Sequence, residues 1–179
     1  MNGIKLSTAA PLRGAKRWNF LERQHTIRVA TVAGDEPIYV SALWFVIHER
    51  TIYLPFDQAS KHAANLENGG RLAAVVDAGE GFADVRGVNI EGTARPVTDS
   101  KFAEELEELV LNKYFYEGDP FLEEYINFGE YQYRQFYEVV PTRMWGWDLR
   151  EASVLASPER RTLPDFMFET DGAGANGAG

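Results

Sequence analysis

The sequence predicts a mainly β domain, an antiparallel barrel that is closed or partly closed and carries few helices. Three observations predict it. Six or seven short apolar or alternating segments are separated by Gly-, Pro- and Asp-containing turn clusters. The longest of these segments contains Gly87 and Gly92, which permit the bends that barrel corners require. Helical spacing is confined to a few stretches, and no internal repeat interrupts the order of the strands.

The elements follow in sequence. Residues 1–17 are small, polar and basic, and are expected to be an arm, loose or laid across a partner. Trp18 to Arg23 reads as a short helix. Ile27, Val29 and Thr31 alternate with Arg28, Ala30 and Val32, the period-2 pattern of a strand. After the turn at Gly34-Asp35-Glu36-Pro37, Ile38 to Ile47 is apolar at nearly every position, as in a strand buried on both sides. Thr51 to Phe56 is a third strand, with Pro55 near its end. Ser60 to Asn68 is a short helix capped by Ser60 or Asp57 and stopped by Gly69-Gly70. Arg71 to Asp77 and Val85 to Val97 are strands. In the second, Val88, Ile90 and Ala94 share one face, opposite Asn89, Glu91, Thr93 and Arg95. Asp99 to about Tyr116 is a helix, with Phe102, Leu106, Leu109 and Val110 at helical spacing and Glu104, Glu105, Glu107 and Glu108 on a solvated face. Phe121 to Phe128 is a second short helix. Two closing strands, 134–140 and 142–149, flank Pro141. One domain thus spans 18–150, followed by an extension over 151–179 that is expected to be disordered from about 170.

Charge and composition narrow the function. Eighteen Lys and Arg against 27 Asp and Glu leave a net charge of −9. Such a surface repels phosphate backbones and anionic bilayers, so neither nucleic acid nor membrane is an expected partner. There is no Cys, and three scattered histidines make no zinc site without carboxylates, so no metal is expected. No apolar run reaches the ~20 residues of a membrane span. The N-terminal run lacks the apolar core of a signal peptide, so a cytoplasmic location is expected.

Three segments carry chemistry. At Phe56-Asp57-Gln58-Ala59-Ser60-Lys61 a strand passes through a short loop into a helix. A helix start exposes backbone N–H groups and a positive dipole end. A lysine there is unfavourable by ~0.3–1 kcal/mol unless an anion is bound. A phosphate would accept from Ser60, from Lys61 and from the backbone. His62, next in line, is either an anion contact or exposed. Ser41-Ala42-Leu43-Trp44 combines apolar side chains with a small residue, which lets a flat ligand approach the backbone. Plain core packing accounts for Phe45 and Val46. Arg143, Trp145 and Trp147 fall on one face of the last strand, as at an interface or a ligand wall. No nucleophile–base pair, P-loop or dinucleotide fingerprint is present, so any reaction is expected to be carried by a bound cofactor.

The run TIRVATVAGDEPIYVSALWFVIHERTIYLPFDQASKHAANLENGGRLAAVVD, followed by RGVNIEGTARPV, resembles the flavin-binding split barrels. These comprise the pyridoxamine 5′-phosphate oxidase-like proteins and their deazaflavin-dependent relatives. The likeness covers roughly Arg28 to Val97, with an echo in VVPTRMWGWDLR. It implies a six-stranded split barrel in a homodimer, with FMN, or a deazaflavin cofactor instead, in each interface cleft. By the same likeness Ser60 and Lys61 hold the cofactor phosphate, and Ser41, Ala42, Leu43 and Trp44 run along the ring edge. Phe56 and Gln58 approach the ribityl chain, Trp147 or Trp145 of the second subunit closes the ring pocket, and Arg86 is a further contact. A longer deazaflavin tail would call on Lys16, Arg17 and Arg71. The implied activity is FMN-dependent hydride transfer to a small-molecule redox substrate. The alternatives are a deazaflavin-dependent reductase and a non-catalytic flavin- or haem-binding module. The chain departs from true pyridoxamine phosphate oxidases in lacking their C-terminal Arg-x-His; PERRTLP is only a superficial echo of their ending.

Overall fold

A computed structural model of the chain describes residues 10–80, 84–131 and 133–150. The extension from 151 and the first nine residues of the arm lie outside the described residues. The elements are β1 (Ala10–Leu12), α1 (Gly14–Glu22), β2 (Ile27–Val32), β3 (Tyr39–Leu43), β4 (Val46–His48), β5 (Thr51–Asp57), α2 (Lys61–Glu67), β6 (Arg71–Ala78), β7 (Arg86–Pro96), α3 (Ser100–Tyr114), α4 (Leu122–Tyr131) and β8 (Arg134–Asp148). All pairings are antiparallel, in the order β3-β2-β6-β7-β8-β5-β4, with β1 on the far part of β8. β3 and β4 occupy opposite edges of that path, yet Leu43 and Val46 are three residues apart and at most about 11 Å can separate them. The sheet must therefore curl until its edges meet, and the result is the split barrel.

The strand inventory differs from expectation in three places. The arm is not loose from residue 10 onward: β1 pairs with β8 of its own chain, Ala10 opposite Asp148 and Leu12 opposite Gly146. The apolar run 38–47 is two strands broken at Trp44-Phe45. It is also not covered on both sides within the chain, since Ile38 and Val40 are 69% and 62% exposed. The last two strands are one. β8 runs through Pro141, which is tolerated because the register slips between Glu91 and Gly92: Gly92 faces Pro141 and Glu91 faces Arg143. A Cβ at Gly92 would strike the Val140 carbonyl, so this bend requires glycine.

Inward-facing residues fill the barrel. Ile27, Val29, Leu54, Val76, Val88, Ile90 and Tyr137 form its core with Leu21 of α1 and Ala63 and Leu66 of α2. α1 and α2 sit at opposite ends. The β6–β7 ladder runs from Leu72 opposite Gly92, beside α2, to Ala78 opposite Arg86, beside α1, roughly 20 Å at strand rise. Leu106 and Val110 of α3 pack outside, on Val46, Tyr53 and Phe136. Asp99 caps α3, its carboxylate accepting from the N–H groups of Lys101 (3.0 Å) and Phe102 (3.3 Å). Glu104, Glu105 and Glu108 are exposed as expected, but Glu107 is half-buried and paired with Arg134 at 3.3 Å.

The outer face of β3-β2-β6-β7 and of the far part of β8 has no layer over it among the described residues. The register places Ala42, Arg28, Val75, Asn89 and Trp145 in one row across it. Val40, Ala30, Ala73, Glu91 and Arg143 form the next. Among the described residues no helix is long and apolar enough to cross a membrane.

Candidate functional site

The expected anion segment closes one end of the barrel. β5 ends at Asp57, the loop turns through a Ser60 N–H to Asp57 carbonyl bond of 2.9 Å, and α2 begins at Lys61. Ser60 is the N-cap: its hydroxyl oxygen accepts from the Ala63 N–H at 3.2 Å. Gln58 and Lys61 are exposed. The Lys61 ammonium lies 3.4 Å from the Glu36 carboxylate, an open pair between two solvated side chains that contributes little. The cation at the first turn is therefore present and accessible, and Glu36 is its competitor for any anion.

Beneath it lies a polar network that hydrophobic periodicity does not reveal. His62 is buried, not exposed: Nδ1 is 3.0 Å from the Thr31 hydroxyl, and its ring stacks on Phe56 at 5.1 Å and 20°. Tyr39 meets His62 edge-on at 4.8 Å. Asn65 donates from Nδ2 to the Thr31 carbonyl (3.2 Å) and hydroxyl (3.0 Å). The signal was local: His62 and Asn65 are three apart on one helix face, alongside Ala63 and Leu66. This network anchors α2 to β2, β3 and β5. Phe56 belongs to it; its ring is 2% exposed and supports α2 from inside the barrel.

Burial lowers the His62 pKa to about 4, so the imidazole is neutral at pH 7. In the unfolded chain it takes its proton near 6.5. Between those values the unfolded state binds more protons, so stability falls as pH drops from about 6.5 toward 4. The difference between urea midpoints at about pH 7 and about pH 5 is expected to shrink in His62→Phe relative to the parent.

The expected ring-edge segment divides by pleat. Ser41 and Leu43 face inward, in the rows of Val29 and Ile27, and are half-buried. Ala42 faces out and is exposed, opposite Arg28, which pairs with Asp77. Trp44 leaves the sheet. Its indole stacks on Tyr114 at 4.2 Å and 7° and meets Phe115 and Tyr125. The break is clamped by α3: the Phe45 N–H donates to the Tyr114 hydroxyl at 2.9 Å, and the Lys113 ammonium donates to the Phe45 carbonyl at 2.9 Å. Burial moves both groups toward neutrality, pushing Tyr114 up to about 12 and Lys113 down to about 8.

Trp147 and Arg86 lie toward the α1 end. Trp147 is on the outer face with Trp145 and Arg143, as the alternation predicts, and its indole lies across Gly87, where a Cβ would sit 2.5 Å from the ring. Arg143 stands 4.5 Å over the Trp145 ring. Arg86 donates to the Asp84 carbonyl at 3.2 Å and its guanidinium is 5.7 Å from the Phe20 ring centroid. Ala42 and Trp147 thus share the outer face but are four strands apart, about 19 Å measured along the curled sheet. Within one chain they cannot touch the same small ring. Lys16, Arg17 and Arg71 do not form one rim either: Lys16 is on α1, Arg17 donates to the Met144 carbonyl at 2.8 Å, and Arg71 opens β6 at the α2 end.

Comparison with known proteins adds to this geometry. The family model for pyridoxamine 5′-phosphate oxidase matches residues 16–148. Among solved structures, a conserved hypothetical protein of Mycobacterium tuberculosis superposes with a TM-score of 0.68 at 21% identity, over 92% of this chain and 99% of that one. The haem storage protein HutZ of Vibrio cholerae gives 0.60 at 17% identity, over 75% of this chain and 95% of its own. An FAD-binding protein of Mycobacterium smegmatis gives 0.56 at 17%, over 76% and 97%. At these identities the likeness establishes the fold. A search of curated proteins finds no match.

Proposed function

The chain belongs to the pyridoxamine 5′-phosphate oxidase family, and from that premise we propose that it is an FMN-dependent oxidoreductase whose flavin lies between two copies of the chain. The observation that carries the proposal is the bare outer face. It is lined near its β3 edge by Ala30, Ala42 and Ala73, and the exposed Lys61 at the start of α2 reaches Glu36 in the turn between β2 and β3. Small side chains admit a planar ring close to the backbone, and an ammonium beside free helix N–H groups suits a phosphate. The donor set therefore fits FMN.

A flavin, when bound, supplies the hydride chemistry. The chain supplies position and dryness. Lys61 and the backbone at Ser60 and Lys61 hold the phosphate. Gln58 lies on the approach to the ribityl chain, and Phe56 secures that approach from below. Ser41, Ala42, Leu43 and Trp44 give the ring edge its backbone and its apolar rim. Arg86 and Trp147 come from a second copy, because four strands, about 19 Å along the curled sheet, part Trp147 from Ala42 in one chain. A homodimer in which these outer faces meet covers Val40, Ala42 and Trp145 and excludes water from the ring. A soluble, cytoplasmic enzyme acting on a small redox substrate completes the reading. A carrier of flavin or haem is the second reading. Haem fits less well: His62 is buried, and His25 and His48 pack edge-on against Tyr114 and Phe102.

The test is titration of the purified chain with FMN and, separately, with a deazaflavin, followed by absorption and fluorescence. Nicotinamide donors are then added. FMN bound and reduced supports the oxidoreductase. FMN bound but inert to donors points to the carrier, deazaflavin alone to the reductase, and neither overturns the flavin reading. Trp147→Ala is expected to weaken FMN and riboflavin equally, by about 0.5–1.5 kcal/mol, the scale of an aromatic contact. A loss confined to FMN contradicts its assignment to the ring.

A further inference from the structure

The barrel wall is open along part of β8. β5 leaves one edge of that strand at Glu138, opposite Tyr53, and β1 joins the same edge only at Gly146, opposite Leu12. Between them, residues 139–145 have no described strand beside them on this edge. α1 lies across the gap: Arg17 donates from Nη1 to the Met144 carbonyl at 2.8 Å, while its Nε is buried and finds no acceptor among the described residues. A cavity of about 380 Å³ remains in the gap. Trp18, Ile52, Val140 and Met144 give it apolar walls, and Arg50 reaches it from the turn between β4 and β5. The carboxylate that lines it, Glu138, is already held by Arg95, which donates from Nε at 3.0 Å and from Nη2 at 2.9 Å. Arg50 is exposed and has no ion-pair or hydrogen-bond partner among the described residues. Its backbone is also costly: Arg50 and Glu49 take φ of 60° and 46°, the left-handed region that hairpin turns ordinarily give to Gly or Asn. A long cation kept in such a position points to a use for its charge.

Two guanidinium groups thus line a mainly apolar cavity whose own carboxylate is engaged elsewhere, in a chain of net charge −9. A guanidinium fork matches the planar geometry of a carboxylate. A singly charged group also loses less hydration against apolar walls than a doubly charged one. The indole of Trp18 suits a flat apolar body, and the volume is at the lower end of small-molecule sites. We propose that this gap binds a small aryl-alkyl carboxylate, with the carboxylate between Arg17 and Arg50 and the ring against Trp18 and Met144. The proposal does not rest on the flavin reading, in which none of these four residues takes part.

The test is calorimetric titration of the full chain at pH 7 with 3-phenylpropionate and with its neutral counterpart, 3-phenylpropan-1-ol. Saturable binding of the acid is expected, with the alcohol weaker by about tenfold or more. Arg50→Gln and Arg50→Gly should each weaken the acid by about tenfold and leave the alcohol unchanged. Because glycine takes φ of 60° without strain, Arg50→Gly should unfold at or above the parent's temperature, so its loss of binding is not a loss of fold. Saturating FMN should leave the acid's affinity unchanged, and Lys61→Ala should bind the acid as the parent does. No saturable binding of 3-phenylpropionate overturns the proposal. So does equal binding of acid and alcohol, equal binding by Arg50→Gly and the parent, or binding that FMN displaces, which would put the acid in the flavin site. A chain that binds the acid but no FMN would overturn the flavin reading and leave this site standing.

Discussion

Lys61→Ala is expected to weaken FMN binding by roughly 10- to 150-fold, the equivalent of ~1.5–3 kcal/mol for a hydrogen bond to a charged group. The ammonium is 45% exposed and its partner Glu36 61% exposed, so removing it leaves no buried charge stranded and costs the fold little. Ser60 still caps α2 through the Ala63 N–H. The effect therefore falls on the anion and not on the helix. Riboflavin, which has the ring but no phosphate, should bind the variant as it binds the parent. Glu36→Gln should move FMN affinity the other way by a few-fold, since it removes the competing carboxylate. Fluorescence titrations of both ligands against the three proteins check this. Equal losses of FMN and riboflavin in Lys61→Ala would mean that the phosphate sits elsewhere.

Phe56→Ala is expected to destabilise the fold by about 3–5 kcal/mol, the cost of truncating a buried phenyl ring. Phe56 packs between His62, at 5.1 Å, and Tyr137, also at 5.1 Å, and joins β5 to both α2 and β8. His62, on one side of the space it leaves, is held at 3.0 Å from the Thr31 hydroxyl and cannot move into that space without breaking this contact. Against a typical domain stability of ~5–15 kcal/mol this is a large fraction. Urea unfolding measures it. FMN affinity in the variant should fall only in step with the folded fraction. Phe56→Met, which keeps most of the volume, should recover both. A fully stable Phe56→Ala that nonetheless loses FMN would place the ring in the cofactor site itself.

The parts of this structure that were legible in the sequence are those that local chemistry decides. β2, β5, β6 and β7 begin and end within a residue or so of the segments that alternation and turn residues mark. Ser60, one of the two expected caps, is the cap of α2, because an oxygen side chain before a helix satisfies an orphan N–H wherever it occurs. What was not legible depends on distant partners. β8 continues through Pro141 only because Gly92, 49 positions earlier, lets β7 slip in register. Ala10–Leu12 is too short to show a period, and becomes a strand because β8 offers it an edge. The break at Trp44-Phe45 is invisible in an apolar run, since it is made by Tyr114 and Lys113 gripping the Phe45 backbone. His62 reads as an anion contact or as exposed, whereas it is buried and Thr31 pairs with both it and Asn65. The same division holds for the candidate site. The helix start that presents Lys61 was visible; the four strands that part Ala42 from Trp147, and on the present proposal call for a second copy, follow only from strand order.

That composite site is the central claim, and mixed dimers test it most directly. Lys61→Ala and Trp147→Ala, each expected to bind FMN more weakly than the parent, are produced together from one cell so that chains assemble at random. If each flavin takes Lys61 from one copy and Trp147 from the other, mixed dimers hold one intact and one doubly damaged site. About one site in four should then bind FMN with the parent's affinity. A mixture that binds no better than the two variants apart, while the parent binds tightly, would place the whole flavin site within a single chain and contradict the account.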